Sequence, residues 1–335
     1  MCTNIRKIFI LCIIFTLCVV GGYMATIHHN SPKTGRYSII APVKIVRLEQ
    51  GICTCQTREE IAALLQDYPL LLSQFWGVTD SAHVSLIADK IYALQQHVEI
   101  KGLYKEVTAS FRDLSALSDD LRYAFSVLQH YYPDFTPPQV ITIVTGMDTD
   151  LYVSKELVVI SLDCFLGDTA KWRPRLPDYM LCTYQPDCIA AKVIAALSFY
   201  FNVADGEDNT LLHDMLYQGK GYYFMKVLLP NTPEGMLLGY SPTQMEDIIA
   251  NRCIVWQHFI DQELWYSTNY RVKNQYLAPR PFTGEIGPGC PGRIGAWLGF
   301  EIIKGYMKHH PEVRLPELMQ NTNVQHMFTQ ARYRP

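Results

Sequence analysis

The sequence predicts an α+β fold that is predominantly helical and contains a small sheet. Over much of the chain, apolar residues recur at intervals of three and four, as they do on the buried face of an amphipathic helix. Two short β-branched runs, Gln139–Thr145 and Leu157–Leu162, lie between turn-forming residues in the middle of the chain. With 49% hydrophobic and 18% charged residues among 335, the chain can fill a core and is not expected to be disordered.

The segment 56–135 is predicted to be a layer of helices. Its first helix should end at Tyr68-Pro69, because the residue before a proline is pushed out of the α region. The pattern of apolar residues then continues to Tyr132-Pro133. The predicted helices of this layer are Arg58–Asp67, Ser81–Gln96, Lys101–Phe111 and Leu117–Tyr132.

Residues 136–335 combine the two β-branched runs with further helices. Because only the polar segment Gly146–Lys155 separates the two runs, we expect them to pair as antiparallel strands. The segment Cys188–Phe201 is apolar nearly all round, which predicts a buried helix. The polar loop Asp205–Asn209 offers an N-cap to the next helix. The other predicted elements are helices at Leu211–Leu228, Thr243–Ile249, Arg293–His309 and Pro316–Met319, and a Pro/Gly-rich loop at Pro279–Gly292.

The N-terminal residues 1–25 are predicted to be a membrane-targeting segment. Two basic residues precede the uncharged apolar run Ile8–Val20, and small residues follow it. This order is typical of a secretory signal or an uncleaved membrane anchor. Lipidation of Cys18 is an alternative, but Leu17 occupies the position where a bacterial lipoprotein signal has a small residue. Residues 26–55 should form a tether with a strand-like stretch, Ile39–Leu48, ahead of a single globular domain, 56–335.

The charge of the chain bears on nucleic-acid binding, and its cysteine content bears on disulfide formation. The formal net charge is -3 and the basic residues are scattered, so no concentrated basic face for nucleic acid is predicted. Ten cysteines are many for such a chain. In an oxidising envelope, Cys182 and Cys188 are the best candidates for a disulfide because they flank a short turn-rich loop.

Motifs of the common catalytic sites are missing from the sequence. It contains no His-Glu-x-x-His, no Gly-x-Ser-x-Gly, no Walker loop and no Gly-x-Gly-x-x-Gly. We therefore predict no catalytic residue, no metal and no cofactor. Asp163 and Asp168 follow the second β-branched run and could act in acid–base chemistry, but a turn cap is the preferred role for Asp163. His213 and Asp214 should point about 100° apart on a helix and should not form a dyad.

The loop that leads into the last long helix contains closely spaced glycines. Arg293, with free N–H groups at the start of the helix, could hold an anion there. Close packing is the preferred interpretation, because Gly292, Gly295 and Gly299 would let another element approach the helix.

Four strings in the chain occur in a distinctive order. They are LVVISLDCFLG at 157–167, TLLHDMLYQGKGYYF at 210–224, PGRIGAWLGF at 291–300 and YRP at 333–335. Together they resemble the gliding-motility lipoprotein B (GldB) family over about residues 55–335.

The resemblance also implies a fold for residues 136–335. This family is similar to predicted zinc peptidases with a small sheet and a helix that carries His-Glu-x-x-His. A zincin-like core is therefore expected, with the ligand positions near Ala191, Lys192 and Ala195 and a second-helix glutamate position near Gln218. Alanine has no donor atom and lysine is normally protonated, so the resemblance implies a degenerate metallopeptidase that has lost its metal site.

The resemblance further implies a non-catalytic envelope protein that is anchored in the membrane, faces the periplasm and contacts other envelope or membrane proteins. Its predicted binding cleft contains Lys192, Gln218, Gly219, Lys220 and Arg293. Two alternatives remain open. One is an envelope hydrolase with a non-standard site that uses Asp163, Asp168 or His213. The other is a module that binds a glycan or a peptide, with aromatic residues available for sugar stacking at Tyr222, Tyr223, Trp256 and Trp265.

Overall fold

A computed structural model describes residues 42–335 of the chain. The predicted targeting segment 1–25, with Cys18, lies outside the described residues, as does most of the tether. The described residues contain one mixed sheet of four strands in the order β1-β2-β4-β3. The strands are β1 (Ile45–Arg47), β2 (Gln139–Ile143), β3 (Leu151–Val153) and β4 (Leu157–Ser161).

The expected antiparallel pairing of the two β-branched runs is wrong. β2 and β4 are parallel, with Val140 opposite Val158, and β1 is parallel to β2 on the other side. The segment between the runs contains β3, which pairs antiparallel with the outer edge of β4. Because the chain reverses direction twice between β2 and β4, these two strands run the same way.

Burial of the sheet on both faces agrees with parallel pairing. Alternate residues of β2 and β4, among them Ile141 and Val159, pack in one cluster with the first helices of the chain. The residues between them, such as Val140 and Val158, are also fully buried. Continuous apolar runs are typical of parallel strands, which are covered on both faces.

The helical layer predicted over 56–135 is present, but it begins earlier: residues 48–54, which were predicted as part of the tether, form a helix that packs in the same cluster. Thr57 and Asp80 cap two of its helices by accepting backbone N–H groups three residues later, at 3.2 and 3.0 Å. The second helix ends at Gln66, ahead of Tyr68-Pro69 as predicted. The helices of this layer are α1 (Leu48–Thr54), α2 (Arg58–Gln66), α3 (Ser81–Gln96), α4 (Val98–Ser110) and α5 (Ser115–Tyr131).

The second half of the described chain is built around two long helices, α8 and α13, which cross at close range. They are surrounded by shorter helices, several of which the apolar pattern did not predict. In one case, the chain that follows the predicted helix Thr243–Ile249 forms a separate helix. The helices are α6 (Asp178–Leu181), α7 (Ile189–Ser198), α8 (Leu211–Leu228), α9 (Glu234–Leu238), α10 (Pro242–Ala250), α11 (Arg252–Asp261), α12 (Tyr270–Leu277), α13 (Ile294–His309), α14 (Leu315–Gln320) and α15 (Val324–Ala331).

Candidate functional site

One face of helix α7 forms the floor of a cleft. Lys192, Ala195 and Ser198 follow one another at intervals of three residues, so they share this face. The rest of α7 is apolar and, apart from Ala196, buried, which fixes the helix against the core. The Ser198 hydroxyl donates a hydrogen bond to the Ala195 carbonyl oxygen at 2.7 Å and so does not depend on a ligand.

The larger part of the cleft, which we call the apolar pocket, lies between α7, α8 and α12. Its volume is about 650 Å³. Two exposed aromatic residues, Phe199 (67% exposed) and Tyr270 (74% exposed), lie at its rim. The other lining residues are Ala195, Ser198, Asn202, Asp214, Tyr217, Gln218, Gly221, Tyr222, Met225, Lys273, Asn274, Leu277, Ala278 and Pro279.

An ion pair crosses one wall of the apolar pocket. Lys273 of α12 contacts the Asp214 carboxylate at 2.5 Å, and His213 Nδ1 lies 3.1 Å from the same carboxylate. His213 and Asp214 were expected not to form a dyad, but in the first turn of α8 the His213 ring comes within hydrogen-bond distance of the Asp214 carboxylate. Burial opposes ionisation of Asp214, but the hydrogen bonds from His213 and Lys273 outweigh it and lower the pKa of this carboxyl.

The smaller part of the cleft, which we call the cationic pocket, has a volume of about 180 Å³ and shares Pro279 with the apolar pocket. Lys192 lies here, 3.7 Å from the ring centroid of Tyr184 and 3.6 Å from the Asp150 carboxylate. The Tyr184 hydroxyl donates to the same carboxylate at 2.7 Å. Burial lowers the pKa of Lys192, and Asp150 opposes that shift.

Arg293 lines the cationic pocket from the opposite side. It has a left-handed backbone conformation (φ 61°) immediately before α13, and its guanidinium donates to the Leu238 carbonyl oxygen at 2.6 Å. The neighbouring Arg280 is paired with Glu285 at 3.1 Å. The glycines around Arg293 serve close packing, as preferred from the sequence, since a Cβ at Gly292 would overlap the Arg280 backbone.

Gly219 and Lys220, which were predicted in the cleft, instead lie in the core. A Cβ at Gly219 would be 2.5 Å from the carbonyl group of Gly299, so this glycine permits the crossing of α8 and α13. Lys220 is 2% exposed, and its ammonium group binds three backbone carbonyl groups rather than a ligand. The acceptors are the oxygens of Val203, Met319 and Asn321, at 2.8, 3.3 and 2.9 Å.

The residues considered for hydrolysis are not brought together. Asp163 is fully buried, and its carboxylate accepts the backbone N–H groups of Thr145 and Met147 at 3.3 and 2.6 Å, which is the predicted turn cap. Burial raises the pKa of Asp163 despite these bonds. Asp168 is exposed, and His213 contributes to the wall described above.

Most of the aromatic residues considered for sugar stacking serve packing. Trp256 and Trp265 are in contact, with ring centroids 5.1 Å apart, and both pack against Phe328. Tyr223 packs against the same core cluster. Of the four aromatic residues, Tyr222 alone lines the apolar pocket.

Cys182 and Cys188 are free thiols in the structure, and their pairing stays a prediction. The Cys188 thiol contacts the Cys182 carbonyl oxygen at 3.8 Å, whereas the Cys182 thiol is directed to the Tyr179 and Gly239 carbonyl groups. A bond between them would therefore require both side chains to turn.

The positions that the resemblance assigns to zinc ligands lie on and around α7. Ala191 is buried, while Ala195 and Gln218 face the apolar pocket. Across residues 42–335, no three His, Cys, Asp or Glu side chains come together in a way that could hold a metal ion. None of the helices in this range is both long and apolar enough to cross a membrane.

Sequence reasoning missed the wall formed by α12, which supplies Tyr270, Lys273 and Asn274 to the apolar pocket. The available signal was Asn269 ahead of this segment: its side chain caps α12 by accepting the Arg271 N–H at 2.9 Å. An Asn before an amphipathic run of eight residues predicts such a helix, although not its place beside α7.

Comparison with known proteins identifies a family. The model of the family described as gliding motility protein GldB matches residues 30–335 and so includes every element of the cleft. No curated protein and no solved structure matches the chain. The match confirms the family resemblance that was inferred from the four strings. The chain belongs to the gliding motility protein GldB family.

Proposed function

We propose that this protein is a non-catalytic, membrane-tethered component of the cell envelope that binds another envelope protein through the cleft above α7. The family to which the chain belongs is linked to gliding motility, and its lipoprotein name suggests anchoring in the membrane. In this proposal, the domain faces the periplasm and the N-terminal segment holds it at the membrane.

The observation that carries the proposal is the cleft itself. A concave, mostly apolar cavity with a few convergent polar groups is the usual form of a ligand site. Here the cavity has a volume of about 650 Å³, and its polar groups are the amides of Gln218 and Asn274 and the Asp214–Lys273 ion pair. Exposed aromatic residues at the rim offer contact area at a low cost in side-chain entropy.

The non-catalytic part of the proposal rests on which residues occupy the zincin-like positions. The methyl group of Ala195 and the amide of Gln218 line the apolar pocket where the resemblance expects a histidine and a glutamate. Lys192 lies at another of the expected ligand positions and is paired with Asp150. A zincin-like ancestry for this core is part of the same proposal, and these side chains suit binding better than metal-assisted hydrolysis.

Photo-crosslinking in intact cells tests the proposal. A photoreactive residue at Gln218 should give a discrete covalent product with one envelope protein, whereas the same residue at Glu99, an exposed position that does not line the cleft, should not. The additional change Ala195→Phe should abolish the product, because the ring would fill the apolar pocket while α7 remains helical. The same products from Gln218 and Glu99, or products that survive Ala195→Phe, would contradict binding in the cleft.

A further inference from the structure

The two parts of the cleft differ in chemistry, and this difference points to the class of ligand that the proposed function requires. The apolar pocket is lined by aromatic and aliphatic side chains such as Tyr217, Met225 and Leu277. The cationic pocket is lined by Lys192, Arg280, Arg293 and several tyrosines. Pro279 lines both pockets, so they are adjacent, as a single ligand that occupies both would require.

The cationic pocket has one positive charge in excess. Lys192 is paired with Asp150, and Arg280 is paired with Glu285. Within residues 42–335, no carboxylate lies within 4.0 Å of Arg293, whose guanidinium donates a hydrogen bond to the Leu238 carbonyl oxygen. A guanidinium has five N–H donors, so donors remain for an anion. Partial burial strengthens such a charge-assisted hydrogen bond.

The floor of the cleft sets the distance between the two pockets. Lys192 contributes to the cationic pocket, and Ser198 contributes to the apolar pocket six residues later. At about 1.5 Å per residue, they are separated by about 9 Å along α7. An extended peptide covers that distance with about three residues.

We propose that the ligand is an extended peptide with a large apolar or aromatic side chain and, within a few residues of it, a carboxylate. The side chain fills the apolar pocket beside Phe199 and Tyr270, and the carboxylate binds Arg293. The carboxylate comes either from an Asp or Glu side chain or from a free C-terminus, since both present the same two oxygens. This inference rests on the proposed function and specifies its ligand.

Peptide selection on the full-length protein in detergent tests the inference. A displayed library of random twelve-residue peptides should yield sequences that combine an aromatic or long aliphatic residue with a nearby acidic residue or a free C-terminal carboxylate. For a selected synthetic peptide, replacing Glu by Gln should raise Kd about tenfold or more, as should amidation if the carboxylate is C-terminal. Failure to select any peptide, or an unchanged Kd in both comparisons, would overturn the inference.

Variants of this protein test whether the carboxylate of the peptide binds Arg293. Arg293→Gln should raise Kd about tenfold or more, and its effect should largely disappear with the carboxylate-free peptide, as expected for two groups in contact. Arg293→Lys retains the charge and should recover part of the affinity, which controls for a structural effect of Arg293→Gln. Arg112→Gln, at an exposed arginine outside this cleft, should leave Kd unchanged. Equal losses for the acidic and the carboxylate-free peptide would exclude contact with Arg293.

The crosslinking experiment tests the proposed function, and the peptide experiment tests the ligand class. A negative result in one can therefore be distinguished from a negative result in the other. If the product at Gln218 forms but the selected peptides have no preference for a carboxylate, the ligand class is wrong and cleft binding stands. If no product forms at Gln218 in cells, the proposed function itself is wrong, whatever the peptides show.

Discussion

Replacing Gly299 by alanine is expected to lower the free energy of unfolding by about 3 kcal/mol or more. Gly299 lies where α13 crosses α8, and a Cβ at this position would overlap the carbonyl oxygen of Met215. The Met215 oxygen is a backbone atom and cannot move aside as the end of a flexible side chain can. The overlap is therefore relieved only if the two helix backbones separate. Their separation would open the core cluster that contains Phe300 and Leu216. Urea-induced unfolding of the full-length protein in detergent, followed by circular dichroism, measures the loss.

A matched control lies on the other helix of the same crossing. A Cβ at Gly221 would meet only the Ser198 hydroxyl, at an ordinary 3.6 Å. Gly221→Ala should therefore leave stability unchanged or raise it by about 0.5–1 kcal/mol, because alanine is the better helix former. A Gly299→Ala variant that is as stable as Gly221→Ala would show that the backbones are not in close contact.

Replacing Lys220 by methionine is expected to cost about 2 kcal/mol or more. The ammonium group binds three backbone carbonyl groups that close the end of α14 and the loop after α7. Methionine has a similar length but no donor, so it leaves buried acceptors without this partner. The wild type must bury the charge of Lys220, whereas the methionine variant does not. This difference favours the variant and keeps the expected loss of stability moderate. Thermal and urea unfolding of the variant measure the net effect.

Burial of Lys220 also has a pH signature. It lowers the pKa of Lys220 to about 8, from an ordinary 10.5. Between these values the unfolded chain binds more protons than the folded one, so wild-type stability relative to Lys220→Met should rise with pH. The control Lys226→Met removes a half-buried lysine of the same helix that binds two carbonyl groups at 3.2 and 3.5 Å, and should cost less. Equal costs for the two variants would contradict the role of Lys220.

The long helices were predictable because their signals are local. Ser81–Gln96 and Leu211–Leu228 were predicted with the same ends as the structure gives them, since the apolar spacing lies within each segment. The N-cap of the second helix is Thr210, directly after the loop Asp205–Asn209 that was predicted to supply it. Strand direction is not local. The parallel pairing of β2 and β4 depends on β3, which has only three residues and no distinctive composition.

The cleft could be predicted in part for the same reason. The face of α7 that carries Lys192 and Ala195 follows from the resemblance and the helical period. The place of Lys220 does not, because its carbonyl partners come from Val203, Met319 and Asn321, which are distant in the chain. A lysine between two glycines therefore resembles an exposed residue in the sequence, whereas tertiary contacts bury it.

One measurement tests binding without catalysis most directly. The purified full-length protein is incubated with a broad peptide library, with Zn²⁺ or with a chelator, and all peptides are then analysed by mass spectrometry. We predict that a subset of peptides is retained intact under both conditions, and that Ala195→Phe abolishes retention. Cleavage of library peptides that is lost on chelation, with stoichiometric zinc in the protein, would contradict a non-catalytic cleft.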